Sequence, residues 1–136
     1  MSSGVCFDAG VIYLYYQKNP PQKIDELMQD IKEKKLTGFI SSVILVEVYK
    51  HLCVSEGKDY ADSCIRSFLN NLRPQLVDLT PELILRAGQL KCQYRNKLSY
   101  NDSIIIAISL DKKATLHTTE KELPEIKGLK SVKYDF

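Results

Sequence analysis

The sequence predicts an α/β protein, a three-layer sandwich with a central parallel β-sheet flanked by helices. Short apolar runs, typical of strands, alternate with longer segments whose apolar residues fall at helical spacing. This alternation favours a parallel sheet covered on both faces. A helix containing residues 104–108 is apolar nearly all round, as a buried helix is. No repeat, low-complexity run or Pro/Gly/Ser linker divides the chain, so we expect one domain over residues 1–136.

The first elements follow from apolar runs and from helical spacing. Residues 5–7 form a short apolar run that ends at Asp8, which is typical of a strand. Residues 11–16 continue as a short apolar helix, which ends before the prolines at positions 20 and 21. Apolar residues at helical spacing indicate a second helix: Ile24, Leu27, Met28 and Ile31. Gly38 then precedes a brief strand at residues 39–40.

Capping residues and a second apolar stripe mark the middle of the chain. Ser41 or Ser42 can cap a helix that runs to about Val54. The next helix is indicated by apolar residues at helical spacing: Tyr60, Ala61, Cys64, Ile65, Phe68 and Leu69. This stripe is either core or a dimer face. Residues 76–77 indicate a strand, and Thr80 followed by Pro81 starts the helix after it.

The last elements begin at a capping box. Ser99 and Asp102 have the spacing of this motif, so they start the helix that contains the apolar residues 104–108. Residues 114–117 and 132–134 are predicted to form two further strands.

The composition is that of an ordinary folded protein. Of 136 residues, 44% are apolar and 26% are charged, which excludes wholesale disorder. The net charge of +2 is too small to indicate nucleic-acid binding by itself. The longest fully apolar stretch is too short to cross a membrane, and the first residues lack the features of a signal peptide. We expect a cytoplasmic protein with no membrane contact, whose four cysteines are small buried side chains.

Acidic side chains follow or adjoin the predicted strands. Asp8 ends the first strand, and Glu47 lies one turn into the helix after the second. Asp102 opens the apolar helix, and Glu120, with Glu122 close behind it, follows the strand that ends at residue 117. In parallel α/β folds ligands bind at the carboxyl ends of the strands. We expect Asp8, Glu47, Asp102 and Glu120 to converge at one edge of the sheet.

Such a cluster of carboxylates indicates a metal ion. Carboxylates repel one another and are costly to bury unpaired. A hard divalent cation, Mg²⁺ or Mn²⁺, relieves this repulsion because it prefers oxygen ligands, and it keeps water molecules for catalysis. Such an ion generates hydroxide near neutral pH and stabilises charge on a transferring phosphoryl group. The pattern therefore indicates hydrolysis of a phosphodiester.

Each acid also has a purely structural interpretation. Asp8 can accept amide hydrogen bonds at the start of the next helix, and Asp102 can be the reciprocal half of the capping box. Glu47 can pair with a cation three or four residues on, although its valine neighbours argue against a free solvated acid. Glu120 and Glu122 can be first-turn acids of a short helix. The functional interpretation depends on the joint placement of the acids.

Four segments resemble the acidic motifs of PIN-domain ribonucleases. They are residues 5–9 (VCFDA), 41–49 (SSVILVEVY), 98–107 (LSYNDSIIIA) and 114–123 (ATLHTTEKEL). They occur in the family's order, and the likeness spans nearly the whole chain. Each motif is short and degenerate, so the specificity lies in having all four with strands and helices between them. A stand-alone domain of this size is similar to VapC-type toxins of prokaryotic toxin–antitoxin pairs.

The resemblance implies a PIN-like fold and a Mg²⁺- or Mn²⁺-dependent endoribonuclease that cuts single-stranded RNA. Asp8, Glu47 and Asp102 match the three main metal-site acids of the family. Glu120 would occupy the fourth acidic position, which is usually aspartate. Thr118 looks like the family's hydroxyl that orients the acidic site. The implied partners are a small antitoxin protein and a second copy of the chain in a homodimer.

Two positions depart from the family's pattern. Gly10 stands where the family often has serine, threonine or asparagine, so one polar contact is missing. Glu120 is one methylene longer than aspartate, and Glu122 could take its place. These departures keep open an alternative, a catalytically degenerate PIN-like domain that binds RNA or a protein. A phosphotransfer or phosphatase domain would need a second acid two positions after Asp8, where Gly10 stands instead.

RNA binding would need cations and aromatic rings near the acidic site. The candidates are Lys50 on the third helix, and Arg95, Lys97 and Tyr100 just before the apolar helix. For each of them an ordinary solvated helix end is the competing interpretation.

Overall fold

The computed structural model describes residues 3–135, and its centre is a parallel β-sheet. The strands are β1 (Ser3–Phe7), β2 (Leu36–Ile40), β3 (Gln75–Leu76), β4 (Thr115–Thr118) and β5 (Lys130–Lys133). They pair in the order β3-β2-β1-β4-β5, and every pair is parallel. Each predicted strand is present, with ends shifted by a few residues.

Six helices connect and cover the described strands. They are α1 (Ala9–Tyr15), α2 (Gln22–Lys32), α3 (Ser42–Glu56), α4 (Lys58–Ser67), α5 (Pro81–Gln93) and α6 (Tyr100–Lys112). These are the helices that the sequence predicted, and the α/β fold class with a parallel sheet is confirmed. Over residues 3–135 no helix is long and apolar enough to cross a membrane.

Local capping signals account for where three of the helices, α3, α5 and α6, begin. Ser41 caps α3, and Thr80 caps α5 with Pro81 at its first position. Ser99 and Asp102 form the predicted capping box at the start of α6, with both hydrogen bonds at 3.0 Å. Because these contacts satisfy backbone N–H groups that a helix leaves free, they hold each helix start in place.

The two faces of the sheet are covered by different helices. The connections from β1 to β2 and from β2 to β3 carry α1–α4, and the return across the sheet to β4 carries α5 and α6. Right-handed crossovers therefore place the two sets on opposite faces. On one face Phe7 packs edge-on against Phe68, with 6.3 Å between ring centroids. Its neighbour Cys6 points to the other face and lies beside the hydroxyl of Ser109 on α6.

The register brings the carboxyl ends of the central strands to one edge. Phe7 of β1 stands opposite His117 of β4, and Cys6 stands opposite Phe39 of β2. The N–H of Asp8 extends the β1–β4 ladder by donating to the carbonyl of His117 at 3.1 Å. Asp8 and the segment after β4 therefore leave the sheet side by side.

The apolar stripe at residues 60–69 belongs to the core. Ala61, Cys64 and Phe68 are buried, whereas Tyr60 is largely exposed and its hydroxyl donates to a carbonyl at the end of α1. The stripe extends beyond the end of α4 at Ser67, and its last residues lie in a π-helical turn at Phe68–Leu72. Core packing is therefore observed for Ala61, Cys64 and Phe68, whereas Ile65 and Leu69 are half-buried and line a groove beside α3.

One structural alternative and one expectation are wrong. Glu120 and Glu122 do not lie on a short helix, because residues 119–126 are irregular. The cysteines are all free thiols, but only Cys6 and Cys64 are buried. Cys92 is exposed because it lies outside the helical stripe that α5 turns to the core, and Cys53 is half-buried.

Candidate functional site

A cleft of about 400 Å³ opens at the carboxyl edge of the sheet, and all four predicted acids line it. They come from separate segments: Asp8 after β1, Glu47 on α3, Asp102 on α6 and Glu120 after β4. The other lining residues are Ala9, Gly10, Ile44, His51, Ser99, Asn101, Ile105 and Thr119. Glu122 is exposed and is not part of this lining, so Glu120 is the acid of that pair that reaches the cleft.

Asp8 is buried and is held by three hydrogen-bond donors. Its Oδ1 accepts the N–H of Val11 at 3.1 Å, and its Oδ2 accepts the N–H of Thr119 at 3.0 Å and the hydroxyl of Thr118. Burial raises the pKa of Asp8, the three hydrogen bonds oppose that shift, and the charge of Asp102 adds to it. A carboxylate can accept about four hydrogen bonds, so Asp8 caps α1 and still keeps about one acceptor position for the cleft.

Glu47 is oriented by two side chains. Its Oε1 accepts a hydrogen bond from the side-chain amide of Asn101, and its Oε2 lies 3.4 Å from Nε2 of His51. Glu47 therefore contacts His51, one turn further along α3. The argument from the valine neighbours is wrong for Val46, which is 70% exposed, while Val48 is fully buried. The two valines lie about 200° apart around the helix, so only one of them can face the core.

Asp102 combines a capping contact with a place in the cleft. Its Oδ2 accepts the N–H of Ser99 at 3.0 Å, which leaves further acceptor positions on the carboxylate. The preceding residue, Asn101, was not singled out from the sequence, although it orients Glu47. The signal was present, because Asn101 is an amide side chain directly beside a predicted site acid, but its partner is on another helix.

Glu120 lies within range of the charges of the other three carboxylates. Its backbone N–H donates to Oγ1 of Thr118 at 2.9 Å, at the point where β4 ends. Partial burial raises the pKa of Glu120, and the charges of Asp102, Asp8 and Glu47 raise it further. Glu120 therefore stands close enough to the other three carboxylates for their charges to act on it.

Gly10, in the first turn of α1, approaches Thr119 closely. A Cβ at Gly10 would lie 2.1 Å from Oγ1 of Thr119 and 3.0 Å from its Cγ2. The expectation that Gly10 leaves a polar contact missing therefore needs revision, because the hydroxyl of Thr119 occupies that space. The sequence did not point to Thr119, since this pairing joins opposite ends of the chain.

The cleft offers the type of donor atom, oxygen, that a hard divalent cation prefers. Four carboxylates line the cleft, and carboxylate oxygens are the ligands that Mg²⁺ and Mn²⁺ prefer. Their mutual repulsion is the effect that a bound cation would relieve. Within residues 3–135, however, no three His, Cys, Asp or Glu side chains are grouped tightly enough to hold an ion. Ion binding would require the carboxylates to move toward one another.

The four predicted RNA-binding residues lie in three places outside the acidic cleft lining. Lys50 lines a separate apolar groove beside α3. Arg95 and Tyr100 line a pocket between α5 and α6. Lys97 is exposed on the turn that joins those two helices. None of the four is part of the acidic cleft lining as the described residues define it.

Fold and site together define a class of protein, an α/β sandwich with an acidic cleft at the carboxyl edge of its parallel sheet. Residues 5–129 match the family described as PIN domain. The chain therefore belongs to the PIN-domain family, as its motifs indicated. No curated protein matches the sequence.

Solved structures of VapC toxins and their complexes share the fold. A chain in the structure of VapBC2 from Rickettsia felis, bound to a promoter DNA fragment, has a TM-score of 0.76 and 23% identity, covering 97% of this chain and 99% of that one. DNA-bound VapBC from Salmonella typhimurium gives 0.73 and 18%, covering 98% of each chain. VapC20 from Mycobacterium tuberculosis, described as a sarcin–ricin loop cleaving toxin, gives 0.66 and 13%, covering 87% and 89%. These likenesses confirm the predicted PIN-like fold.

Proposed function

We propose that this protein is a metal-dependent endoribonuclease that hydrolyses phosphodiester bonds in single-stranded RNA, and that it is the toxin of a toxin–antitoxin pair. The observation that carries the proposal is the meeting of Asp8, Glu47, Asp102 and Glu120 in one open cleft. Membership of the PIN-domain family supports nuclease chemistry. Among the structures that share the fold, VapC20 is described as a sarcin–ricin loop cleaving toxin, and another is a toxin–antitoxin complex from Klebsiella pneumoniae.

In this proposal the four carboxylates hold Mg²⁺ or Mn²⁺. When bound, the ion would supply an activated water molecule and neutralise charge on the phosphate. Asp8 would be a well-oriented ligand because its carboxylate accepts three hydrogen bonds. The side-chain amide of Asn101 orients Glu47 by a hydrogen bond, and the N–H of Ser99 in the capping box orients Asp102. Glu120 closes the site from the loop after β4.

Cleavage of a mixed RNA pool tests the proposal. The wild type is assayed with Mn²⁺, with Mg²⁺ and with a chelator. In the Asp102→Asn variant an oxygen can still accept the N–H of Ser99, so the helix cap is kept and one charge is removed. We expect this variant to lose roughly 100-fold or more in activity, at or beyond the upper end of what outer contacts to a metal site contribute. Equal cutting by the variant and the wild type would show that the site assignment is wrong.

A matched pair of glutamate variants separates the cleft from the nearby surface. Glu120→Gln removes a charge that lines the cleft, whereas Glu122→Gln removes the same charge two residues away on the exposed loop. We expect cutting to fall strongly in the first variant and to remain at the wild-type level in the second. The reverse result would make Glu122 the fourth acid.

A degenerate PIN-like domain that binds RNA or a protein is the second candidate. It is favoured by the absence, among residues 3–135, of a preformed group of three ligands, and by the extra methylene of Glu120. Thermal unfolding with increasing Mn²⁺ separates the two candidates, because an ion that binds only the folded state raises Tm. A protein that neither cuts RNA nor gains stability from Mn²⁺ would belong to the second class.

We further propose that a small antitoxin protein covers an apolar groove of about 560 Å³ between α3, α4 and β3. Its lining residues are Ser42, Leu45, Val46, Tyr49, Lys50, Cys53, Val54, Ile65, Leu69 and Leu76. Val46, Val54 and Leu76 are exposed, and a continuous exposed apolar surface is typical of protein–protein contacts. The likeness to VapBC complexes supports an antitoxin as the occupant. Homodimer formation stays a separate prediction. Measuring the molecular mass in solution of the protein purified without a partner tests it.

A further inference from the structure

We propose that the pocket between α5 and α6 binds one nucleobase of the RNA strand that enters the acidic cleft, with Tyr100 as the stacking surface. The inference rests on the proposed function, because it names a second binding position for the same RNA. The pocket has a volume of about 380 Å³. Four observations support a nucleobase as the occupant of this pocket. They are the position of the pocket, the exposed ring of Tyr100, the charge of the pocket and the glycine in its wall.

The cleft and the pocket share the first turns of α6. Ser99, Asn101 and Asp102 line the cleft, whereas Tyr100 and Ser103 line the pocket. Consecutive Cα atoms are 3.8 Å apart, so Tyr100 stands directly between two residues of the cleft wall. An RNA strand with a phosphate in the cleft therefore has its next unstacked base within reach of Tyr100.

The ring of Tyr100 is exposed and held in place. It is 74% exposed, although it is a large aromatic residue. The ammonium of Lys91 lies 5.1 Å from the ring centroid. That ammonium is itself anchored, because it donates to the carbonyls of Arg95 at 2.9 Å and of Leu98 at 2.7 Å. A fixed cation on an aromatic ring limits how the ring can turn, and an ordered exposed ring is a surface on which any nucleobase can stack.

The charge of the pocket is opposite to that of the cleft. Lys91 and Arg95 belong to its wall, and the described lining includes no carboxylate. Ala87 and Ile104 give the wall an apolar part. Apolar and aromatic surface suits the base, and the two cations suit the phosphates on either side of it.

Gly88 forms part of the pocket wall. It lies in the middle of α5, where glycine weakens a helix relative to alanine. A Cβ at Gly88 would meet no atom within 4 Å, so packing does not demand glycine there. The space beside Gly88 is part of the pocket itself. A bulky side chain at this position would occupy part of the pocket beside Lys91 and Tyr100.

The test uses short single-stranded oligoribonucleotides in which one position at a time is made abasic. The Kd is measured by fluorescence anisotropy at low salt in EDTA, and kcat/KM is measured with Mn²⁺. For the wild type we expect the loss of one particular base to weaken binding roughly 5- to 150-fold, the range that stacking on an aromatic side chain contributes. Tyr100→Leu should lose the same factor on intact RNA and nothing more on the abasic strand, and Tyr100→Phe should bind as the wild type does.

Gly88 supplies the matched pair of variants. Gly88→Leu should match Tyr100→Leu in its effect, and Gly88→Ala should bind as the wild type does. A flat abasic scan with the wild type, or an unchanged Kd for Tyr100→Leu, would overturn the proposal. So would a Tyr100→Leu variant that binds RNA normally but changes the self-association of the chain, because the pocket would then be a protein surface.

The two proposals fail separately. A wild type that cuts RNA but gives a flat abasic scan contradicts only the base pocket. A wild type that does not cut, but shows the expected scan in EDTA, contradicts the nuclease activity and supports the base pocket.

Discussion

A methyl group added at Gly10 tests whether Thr119 fills the space of a side chain at that position. In Gly10→Ala the new Cβ would lie 2.1 Å from Oγ1 of Thr119, 3.0 Å from its Cγ2 and 3.1 Å from its Cβ. Rotation about χ1 of Thr119 moves the first two atoms but leaves the third in place. The overlap can therefore be relieved only if one of the two segments shifts.

The expected cost follows from this crowding. Overpacking of a well-packed site costs about 1–3 kcal/mol. Replacing glycine by alanine in a helix returns up to about 1 kcal/mol. We therefore expect the free energy of unfolding to fall by about 1–2 kcal/mol, which lowers Tm by about 4–8 °C for a chain of this size. RNA cleavage should fall as well, because the N–H of Thr119 also donates to Asp8.

Urea denaturation followed by far-UV circular dichroism measures the effect in a double-mutant cycle. Thr119→Ala removes the two atoms nearest to the new methyl group, so Gly10→Ala should cost about 1 kcal/mol less in that background. If Gly10→Ala leaves the wild-type stability unchanged or raises it, the close approach of Thr119 is not a constraint. The argument that Thr119 takes the place of a side chain at position 10 would then be refuted.

Three further predictions concern the ligand support, the pH dependence and the partner surface. In Asn101→Leu, Glu47 loses its amide donor, so kcat should fall about 10- to 100-fold with the fold retained, whereas an unchanged kcat would show that this contact does not orient Glu47. Burial lowers the pKa of His117 from 6.5 to about 4, so between these pH values the unfolded chain binds a proton that the folded chain does not. The free energy of unfolding should therefore fall by up to about 3 kcal/mol as the pH drops from 6.5 to 4; urea denaturation in EDTA should show this fall in the wild type beyond that of His117→Phe, and equal pH profiles would contradict it. Val54→Asp on the exposed apolar groove should abolish co-purification with the product of the neighbouring open reading frame while changing stability by less than about 0.5 kcal/mol, and a dimer of the chain alone that this variant dissociates would make the groove a self-interface.

The secondary structure was predictable because its signals act over short distances. The capping box of Ser99 and Asp102 joins residues three positions apart, and the spacing of apolar residues on α2 repeats every three or four. The π-helical turn at Phe68–Leu72 was not predictable in this way, because the apolar stripe simply continues through it. The irregular loop after β4 was also missed, since acids at that position suit a helix start equally well.

The acids of the cleft were predictable, three of them from a rule about parallel sheets. Strands that run the same way end at the same edge, so acids that follow different strands meet there. The rule located Asp8 and Glu120, which follow β1 and β4, and Glu47, one turn into the helix after β2, without any knowledge of which strands are neighbours. Asp102 follows no strand directly, and it was indicated by its place at the start of the apolar helix and by the likeness of its segment to a PIN-domain motif. The rule could not say how each acid is held. The rule also says nothing about Tyr100, whose proposed role in base stacking depends on the pocket that it lines.

The sequence by itself determined the type and order of the elements and the acids that reach the cleft, because caps, apolar spacing and strand direction are local properties. Only the tertiary structure decided the strand order β3-β2-β1-β4-β5 and the partners of the acids. Asn101 meets Glu47, and Thr119 meets Gly10, from opposite parts of the chain. Such contacts depend on which strands pair and in what register, and no pattern of neighbouring residues encodes that pairing.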